Sequence, residues 1–161
     1  VAEILVGIGE VVYSRRPGDT LLTVALGSCV AVVAHDPRTG GAGIAHVALP
    51  GGGRTHGRSR SVGYYADSAV PALLGAMARI GSPPSGRGLC LTLVGGAAIL
   101  APMGGFHIGA RNVAAVRQEL AQRGLSAKAD DTGGDRSRTV RLTVGSPAVR
   151  IRSPGLPERA L

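Results

Sequence analysis

A chain of 161 residues fits one domain, long enough to bury roughly 70 % of the surface exposed by its unfolded form. Aromatic residues are nearly absent, only Tyr13, Tyr64, Tyr65 and Phe106, so the core must be built from Val, Leu, Ile and Ala. The formal net charge of +8 comes almost wholly from arginine, since Lys128 is the one lysine, and it favours anionic partners.

Nucleic acid is the weaker of those partners. The arginines are scattered over loops and the C-terminus, with no aromatic stacking platform and no basic stripe along a helix. Two cysteines, Cys29 and Cys90, form no disulfide framework and point to a reducing compartment. No apolar run approaches the ~20 residues needed to cross a bilayer, and no basic-then-apolar leader opens the chain. A cytoplasmic protein without membrane insertion is expected.

Twenty-six glycines and ten prolines imply many turns, hence a sheet-rich fold with a few helices. Residues 3–12 read as an N-terminal strand, Arg15–Asp19 as a turn, and Leu21–Leu26 as a second strand. Gly27 and Ser28 interrupt that apolar pattern just before Cys29, where small residues let backbone N–H groups turn toward a site. Residues 30–34 and 43–49 read as a hairpin closed by the four-residue loop Asp36-Pro37-Arg38-Thr39, with Pro pre-set for the second turn position.

That loop makes His35 face Gly40 and Cys29 face His46, on one side of the hairpin. Directly opposed Cβ atoms lie roughly 4.5–5.5 Å apart, close enough for a thiol to reach an imidazole. A bulge at Gly40 or Gly41 would move the register by one and separate the pair. A Cys beside a His is the minimal unit of thiol nucleophilic catalysis, because the imidazole converts the thiol to a thiolate.

The segment Gly51–Ser61 is a basic loop carrying Arg54, Arg58 and Arg60, placed to act as a lid, a docking arm or a bystander. A helix is expected from Asp67 or Ser68 to Ile80, with Val70, Leu73 and Met77 on its inner face, Pro71 in its first turn and Gly81 at its end. Residues 89–94 read as a buried strand followed by a Gly95-Gly96 turn. Asn112 reads as the cap of a second helix, with Val113, Val116 and Leu120 inward and Gly124 at its end. Residues 140–144 and 149–151 read as closing strands. The organisation is one domain over 1–152 and a frayed tail over 153–161.

Cys90 lies in an apolar strand and reads as core; His35, His56 and His107 read as surface or packing residues. Four dispersed histidines and two distant cysteines lack the spacing of a zinc site. Neither Gly95-Gly96 nor Gly104-Gly105 leads into a phosphate-binding sequence. A third group must orient His46. The nearby carboxylates are Asp19, Asp36 and Asp67, whereas Thr23 offers an acceptor oxygen from an adjacent strand. The residues alone leave Thr23 divided between that role and an ordinary strand threonine.

The runs Asp19–Val30 and His46–Pro50 are similar to the chemoreceptor glutamine deamidase family, CheD. The similarity continues through Tyr65–Ala69, Gly95-Gly96-Ala97, Ile108–Val113 and Asp131–Arg138, and so covers nearly the whole chain. The resemblance implies an α+β fold of layered β-sheets packed together and flanked by helices, like the catalytic domain of cytotoxic necrotizing factors. It implies a cysteine hydrolase converting receptor glutamines to glutamates, with Cys29, His46 and Thr23 catalytic and no cofactor. Backbone N–H groups at Ser28 and Cys29 would hold the oxyanion. The implied partners are chemoreceptor cytoplasmic helices and the phosphatase CheC.

The chain departs from the family pattern at three places. Thr92-Leu93-Val94 stands where a Lys and an aromatic are usual, Ser137 where a Gly is common, and Ala25 replaces a frequent Gly. None of these is a catalytic position. Two other classes share the raw features: another thiol acyl hydrolase or acyltransferase, and a non-catalytic chemotaxis adaptor.

Overall fold

The computed structural model describes residues 1–52, 61–99 and 107–161. Among these residues ten strands form two five-stranded sheets. The first runs in the order β1 (Glu3–Leu5), β3 (Thr20–Leu26), β8 (Arg138–Thr143), β9 (Val149–Arg152), β10 (Arg159–Ala160). The second runs β2 (Val11–Ser14), β5 (Ala42–Val47), β4 (Val30–His35), β6 (Cys90–Gly95), β7 (Ala129–Thr132). Among the described residues two helices, α1 (Ala66–Arg79) and α2 (Ile108–Ala121), complete a mixed α+β architecture.

Every residue of β4 and β5 is buried, because both faces of the second sheet are covered. Successive side chains in a strand point to opposite faces, so each strand serves two cores. Val30, Val32, Ala34, Ala45 and Val47 pack with Val70, Leu73 and Met77 of α1 and with Val116 and Leu120 of α2. Ala31, Val33, Ala42 and Ile44 pack instead with Leu21, Leu26, Val140, Leu142 and Ile151 of the first sheet. The layers are sheet, sheet, helices. Gly43 lets α1 lie close on β5, since a Cβ there would meet Leu73 at 2.9 Å and the Met77 sulfur at 3.0 Å.

Several elements differ from the sequence expectation. The single N-terminal strand is broken at Gly9, whose φ is +81°, and its halves join different sheets: β1 parallel to β3, β2 antiparallel to β5. Helix α1 begins at Ala66, so Pro71 is its sixth residue and lies inside the helix, beyond the first turn. It is tolerated on the exposed side, away from Val70, Leu73 and Met77. Helix α2 begins at Ile108 with His107 at its N-cap, and Asn112 is a fully buried interior residue rather than the cap.

The early start of α2 follows from Gly109, where a Cβ would come within 2.5 Å of the carbonyl oxygens of Gly96 and Ala97. Without a side chain there, the first helical turn presses onto that backbone. Gly124, with φ of +69°, ends α2 as expected. The short strand β7 was not anticipated, and the tail, expected to fray, returns as β10 against β9. The Gly51–Ser61 arginines lie outside the described residues, as does His56. Among the described residues no helix is long and apolar enough to cross a membrane.

Candidate active site

The turn between β4 and β5 sets where Cys29 and His46 sit. Asp36 N–H donates to the Gly41 carbonyl at 2.9 Å and Gly40 N–H to the Asp36 carbonyl at 2.8 Å, with Gly40 left-handed at φ +75°. The four-residue loop is therefore Pro37–Gly40, one position later than the sequence expectation. Asp36 enforces this, because its buried carboxylate accepts from the Arg38 backbone N–H at 2.9 Å, the Arg38 guanidinium at 2.9 Å and the Ser82 hydroxyl at 2.7 Å. Burial opposes the charge on Asp36, but those bonds hold its carboxyl well below the usual carboxylate range.

Moving the turn by one residue moves every cross-strand partner by two. His35 faces Ala42, and His46 faces Ala31 rather than Cys29. A two-residue shift preserves the face, however, whereas a single-residue shift would have reversed it. Cys29 packs against the inter-sheet cluster that contains Ala31. Cys29, the residue before β4, and His46 thus both border the inter-sheet core.

Thr23 reaches His46 from the facing sheet, not from an adjacent strand of the same one. Its Oγ1 lies 2.7 Å from His46 Nδ1 and donates to the Val6 carbonyl at 2.8 Å. A hydroxyl has one proton. With that proton on Val6, Thr23 accepts from His46, so Nδ1 carries the imidazole proton and Nε2 keeps its lone pair. Nε2 is buried and has no hydrogen-bond partner among the described residues. Thr23 is 0 % and His46 2 % exposed, while Cys29 is only half-buried.

Burial pushes His46 below the ordinary imidazole value, against the pull of the Val6 carbonyl and Glu10. Burial pushes the Cys29 thiol up, partly offset by its own backbone N–H. Both shifts favour the uncharged thiol and the uncharged imidazole, whose Nε2 has no partner among the described residues. None of the three carboxylates weighed from sequence orients His46. Asp19 accepts from Ser14 and from the Ala2 N–H, Asp36 caps the hairpin turn, and Asp67 accepts from the Gly52 N–H in the first turn of α1.

The backbone around Cys29 is held from a second direction by the turn after β6. Gly96 N–H donates to the Cys29 carbonyl and Ala97 N–H to the Gly27 carbonyl, each at 2.8 Å. Gly95 permits this approach: its φ is +113°, and a Cβ there would lie 2.2 Å from the Cys29 carbonyl oxygen. Arg138 braces the turn from behind, donating to the carbonyls of Gly133 at 2.6 Å and Gly95 at 3.4 Å. Asn112 donates to the carbonyls of Ser28 at 2.9 Å and Ala48 at 3.0 Å.

Sequence reasoning missed that last role by reading Asn112 as a cap. The available signal was a poor helix former, the chain's one asparagine, within a helical pattern. The remaining candidates sit apart. Cys90 opens β6 half-buried rather than in the core, with Lys128 Nζ 3.7 Å from its sulfur. His35 pairs across the sheet with Cys90 and His107 caps α2 in a left-handed conformation. A cavity of about 360 Å³ lined by Asp131, Arg136, Arg138, Leu156 and Arg159 includes none of Thr23, Cys29 and His46.

Comparison with known proteins agrees with the motifs. The family model described as CheD, chemotactic sensory transduction, matches residues 48–153. That span lies beyond Thr23, Cys29 and His46, but full-length relatives cover them. A protein of Syntrophotalea carbinolica named probable chemoreceptor glutamine deamidase CheD is 41 % identical over 156 residues, covering 96 % of each chain. The chemoreceptor glutamine deamidase CheD of Thermotoga maritima is 37 % identical over 151 residues, covering 94 % of this chain and 92 % of its own. A probable CheD of Archaeoglobus fulgidus is 41 % identical over 141 residues, covering 86 % and 85 %. Matched by the family model over most of its length and by relatives over nearly all of it, this chain belongs to the CheD family.

Proposed function

We propose that the chain is a protein-glutamine deamidase that hydrolyses selected glutamine side chains of chemoreceptors to glutamate and ammonia. The observation that carries this is the Thr23–His46 bond, which leaves a basic Nε2, unpartnered among the described residues, on the inter-sheet side where Cys29 packs. The names of the full-length relatives supply the substrate class.

In this mechanism His46 Nε2 takes the Cys29 thiol proton as substrate binds. The thiolate sulfur forms a bond to the side-chain amide carbon of glutamine, and the carbonyl oxygen becomes an oxyanion. The N–H groups of Ser28 and Cys29 donate to that oxyanion. The imidazolium then protonates the amide nitrogen, the C–N bond breaks, and ammonia leaves a thioester. His46 next takes a proton from water, which attacks the thioester; the C–S bond breaks, releasing glutamate and returning the proton to sulfur. These steps call for no cofactor. Thr23 accepts a hydrogen bond from Nδ1–H throughout and holds one tautomer, but as a neutral group it stabilises the imidazolium less than a carboxylate would.

The two facing sheets with helices on one outer side support the proposed likeness to cytotoxic necrotizing factor catalytic domains. Cytoplasmic chemoreceptor helices are the proposed substrate and CheC the proposed regulator, in the cytoplasm. The test is incubation with receptor cytoplasmic fragments, reading ammonia release and +1 Da glutamine-to-glutamate shifts, the plain amide-to-acid difference. Cys29→Ala should abolish both. Peptide cleavage or amine incorporation would instead indicate a protease or an acyltransferase. Binding without any product would indicate an adaptor.

A further inference from the structure

Three consecutive carbonyls run through the candidate nucleophile, and each is held by a donor. Ala97 N–H holds Gly27, Asn112 Nδ2 holds Ser28, and Gly96 N–H holds Cys29. The described chain contains no cis peptide, so each N–H points opposite to the carbonyl of its own peptide plane. Fixing the Gly27 and Ser28 carbonyls toward α2 and the glycine turn therefore turns the Ser28 and Cys29 N–H groups away from them. Among the described residues neither N–H donates to a backbone or side-chain oxygen.

Two of the three holds are backbone groups that any residue would supply. The third is a side chain, and its chemistry is selective. The Asn112 amide has two protons. One goes to Ser28 at 2.9 Å and the other to Ala48 at 3.0 Å, two residues beyond His46. One rigid group thus sets the Ser28–Cys29 peptide plane and spaces it from the end of the strand that carries the base. Its Oδ1 is buried without a partner among the described residues, a condition that costs stability. Asn112 is therefore poorly explained as a device for stability alone.

We propose that Asn112 is a positioning residue that aims the Cys29 N–H at the developing oxyanion and fixes the distance between the Cys29 and His46 strands. The proposal rests on Cys29 being the nucleophile.

The experiment compares Asn112→Ser and Asn112→Leu with the parent, each below its own unfolding temperature. On a receptor fragment, kcat should fall about tenfold to a hundredfold while KM stays within about twofold, as for an oxyanion donor moved slightly out of place. Iodoacetamide alkylation of Cys29, located by peptide mass spectrometry, should shift its pH profile upward, because the thiolate loses an aligned N–H. Loss of stability alone would produce neither effect. Because the chain has one asparagine, 15N-asparagine labelling also isolates its side-chain amide in the parent. Those protons should exchange slowly and shift when Cys29 is alkylated.

Folded variants with parental kcat and an unshifted alkylation profile would overturn the proposal. If neither variant folds, fast exchange of the parent's Asn112 amide, or no shift on alkylation, overturns it. Absence of deamidation in the parent would defeat the functional reading, yet the alkylation profile and the amide signals would still report the Asn112–Cys29 link.

Discussion

The hydroxyl of Thr23 lies 2.7 Å from Nδ1 of His46 and joins the two sheets across their shared core. The hydroxyl proton is committed to the Val6 carbonyl, so Nδ1 carries the ring proton and Nε2 keeps its lone pair. Thr23→Val keeps the branched shape but removes the donor to the Val6 carbonyl and the acceptor of the His46 N–H. Each such loss costs about 1–3 kcal/mol, so stability should fall along with turnover. Thr23→Ser should restore most of both. Parental turnover in a folded Thr23→Val variant would show that the hydroxyl does not orient the ring. Denaturant midpoints measured beside kcat separate the two effects.

Gly95 offers a sharper steric test. Gly95→Ala would place a Cβ 2.2 Å from the Cys29 carbonyl oxygen, a backbone atom that cannot rotate aside. The turn must open and release the Gly96 N–H from Cys29. We expect a loss of about 3 kcal/mol or more, with activity abolished. Gly133→Ala is the control: its φ is +81°, but nothing lies within 4 Å of the added Cβ. It should cost only the left-handed penalty, about 1–2 kcal/mol. Equal urea midpoints for the two variants would refute the steric account.

Much of this site was legible because alternation along a strand is robust. Cys29 and His46 share a face whether the hairpin turn falls at Asp36–Thr39 or at Pro37–Gly40. The choice of turn was not legible, since it depends on Ser82 satisfying Asp36 from 46 positions away. Thr23 could not be decided for a similar reason: its partner lies on the other sheet, and local pattern does not report how sheets face. The start of α2 depends on Gly109 meeting the Gly96–Ala97 backbone, so Asn112 looked like a cap. The strand β7, Ala-Asp-Asp-Thr, and the two-residue β10 carry no apolar alternation to find.

Ala25 is the one family departure for which the backbone gives a reason to expect a cost. Its φ is +54°, at an irregularity in the β3–β8 pairing between Thr23 and Leu26. Alanine in this left-handed region is disfavoured by about 1–2 kcal/mol, and glycine relieves it at some entropic cost in the unfolded chain. Ala25→Gly should therefore raise stability by about 0.5–1 kcal/mol without changing kcat. A lower urea midpoint would show that the Ala25 methyl contributes more through packing than it costs in strain.

Burial of His35 and His46 makes a prediction about acid sensitivity. Desolvation lowers both imidazoles below the ordinary 6.5, so the unfolded chain takes up protons first as pH falls. Stability is then fully present above about pH 6.5 and declines below it. Cys29 acts in the opposite sense. Its thiol is raised above the ordinary 9.0, so the unfolded chain loses that proton first and stability declines as pH rises past 9. Asp19 and Asp36 are lowered from 3.8, adding a second acid loss below that value. The urea midpoint should therefore form a plateau between about pH 6.5 and 9. His46→Gln removes one of the two imidazoles, so its midpoint should drop less than the parent's between pH 7.5 and pH 5. A parent midpoint that is flat across that interval would mean that neither histidine is held neutral by burial, and the assignment of His46 as a resting base would fall with it.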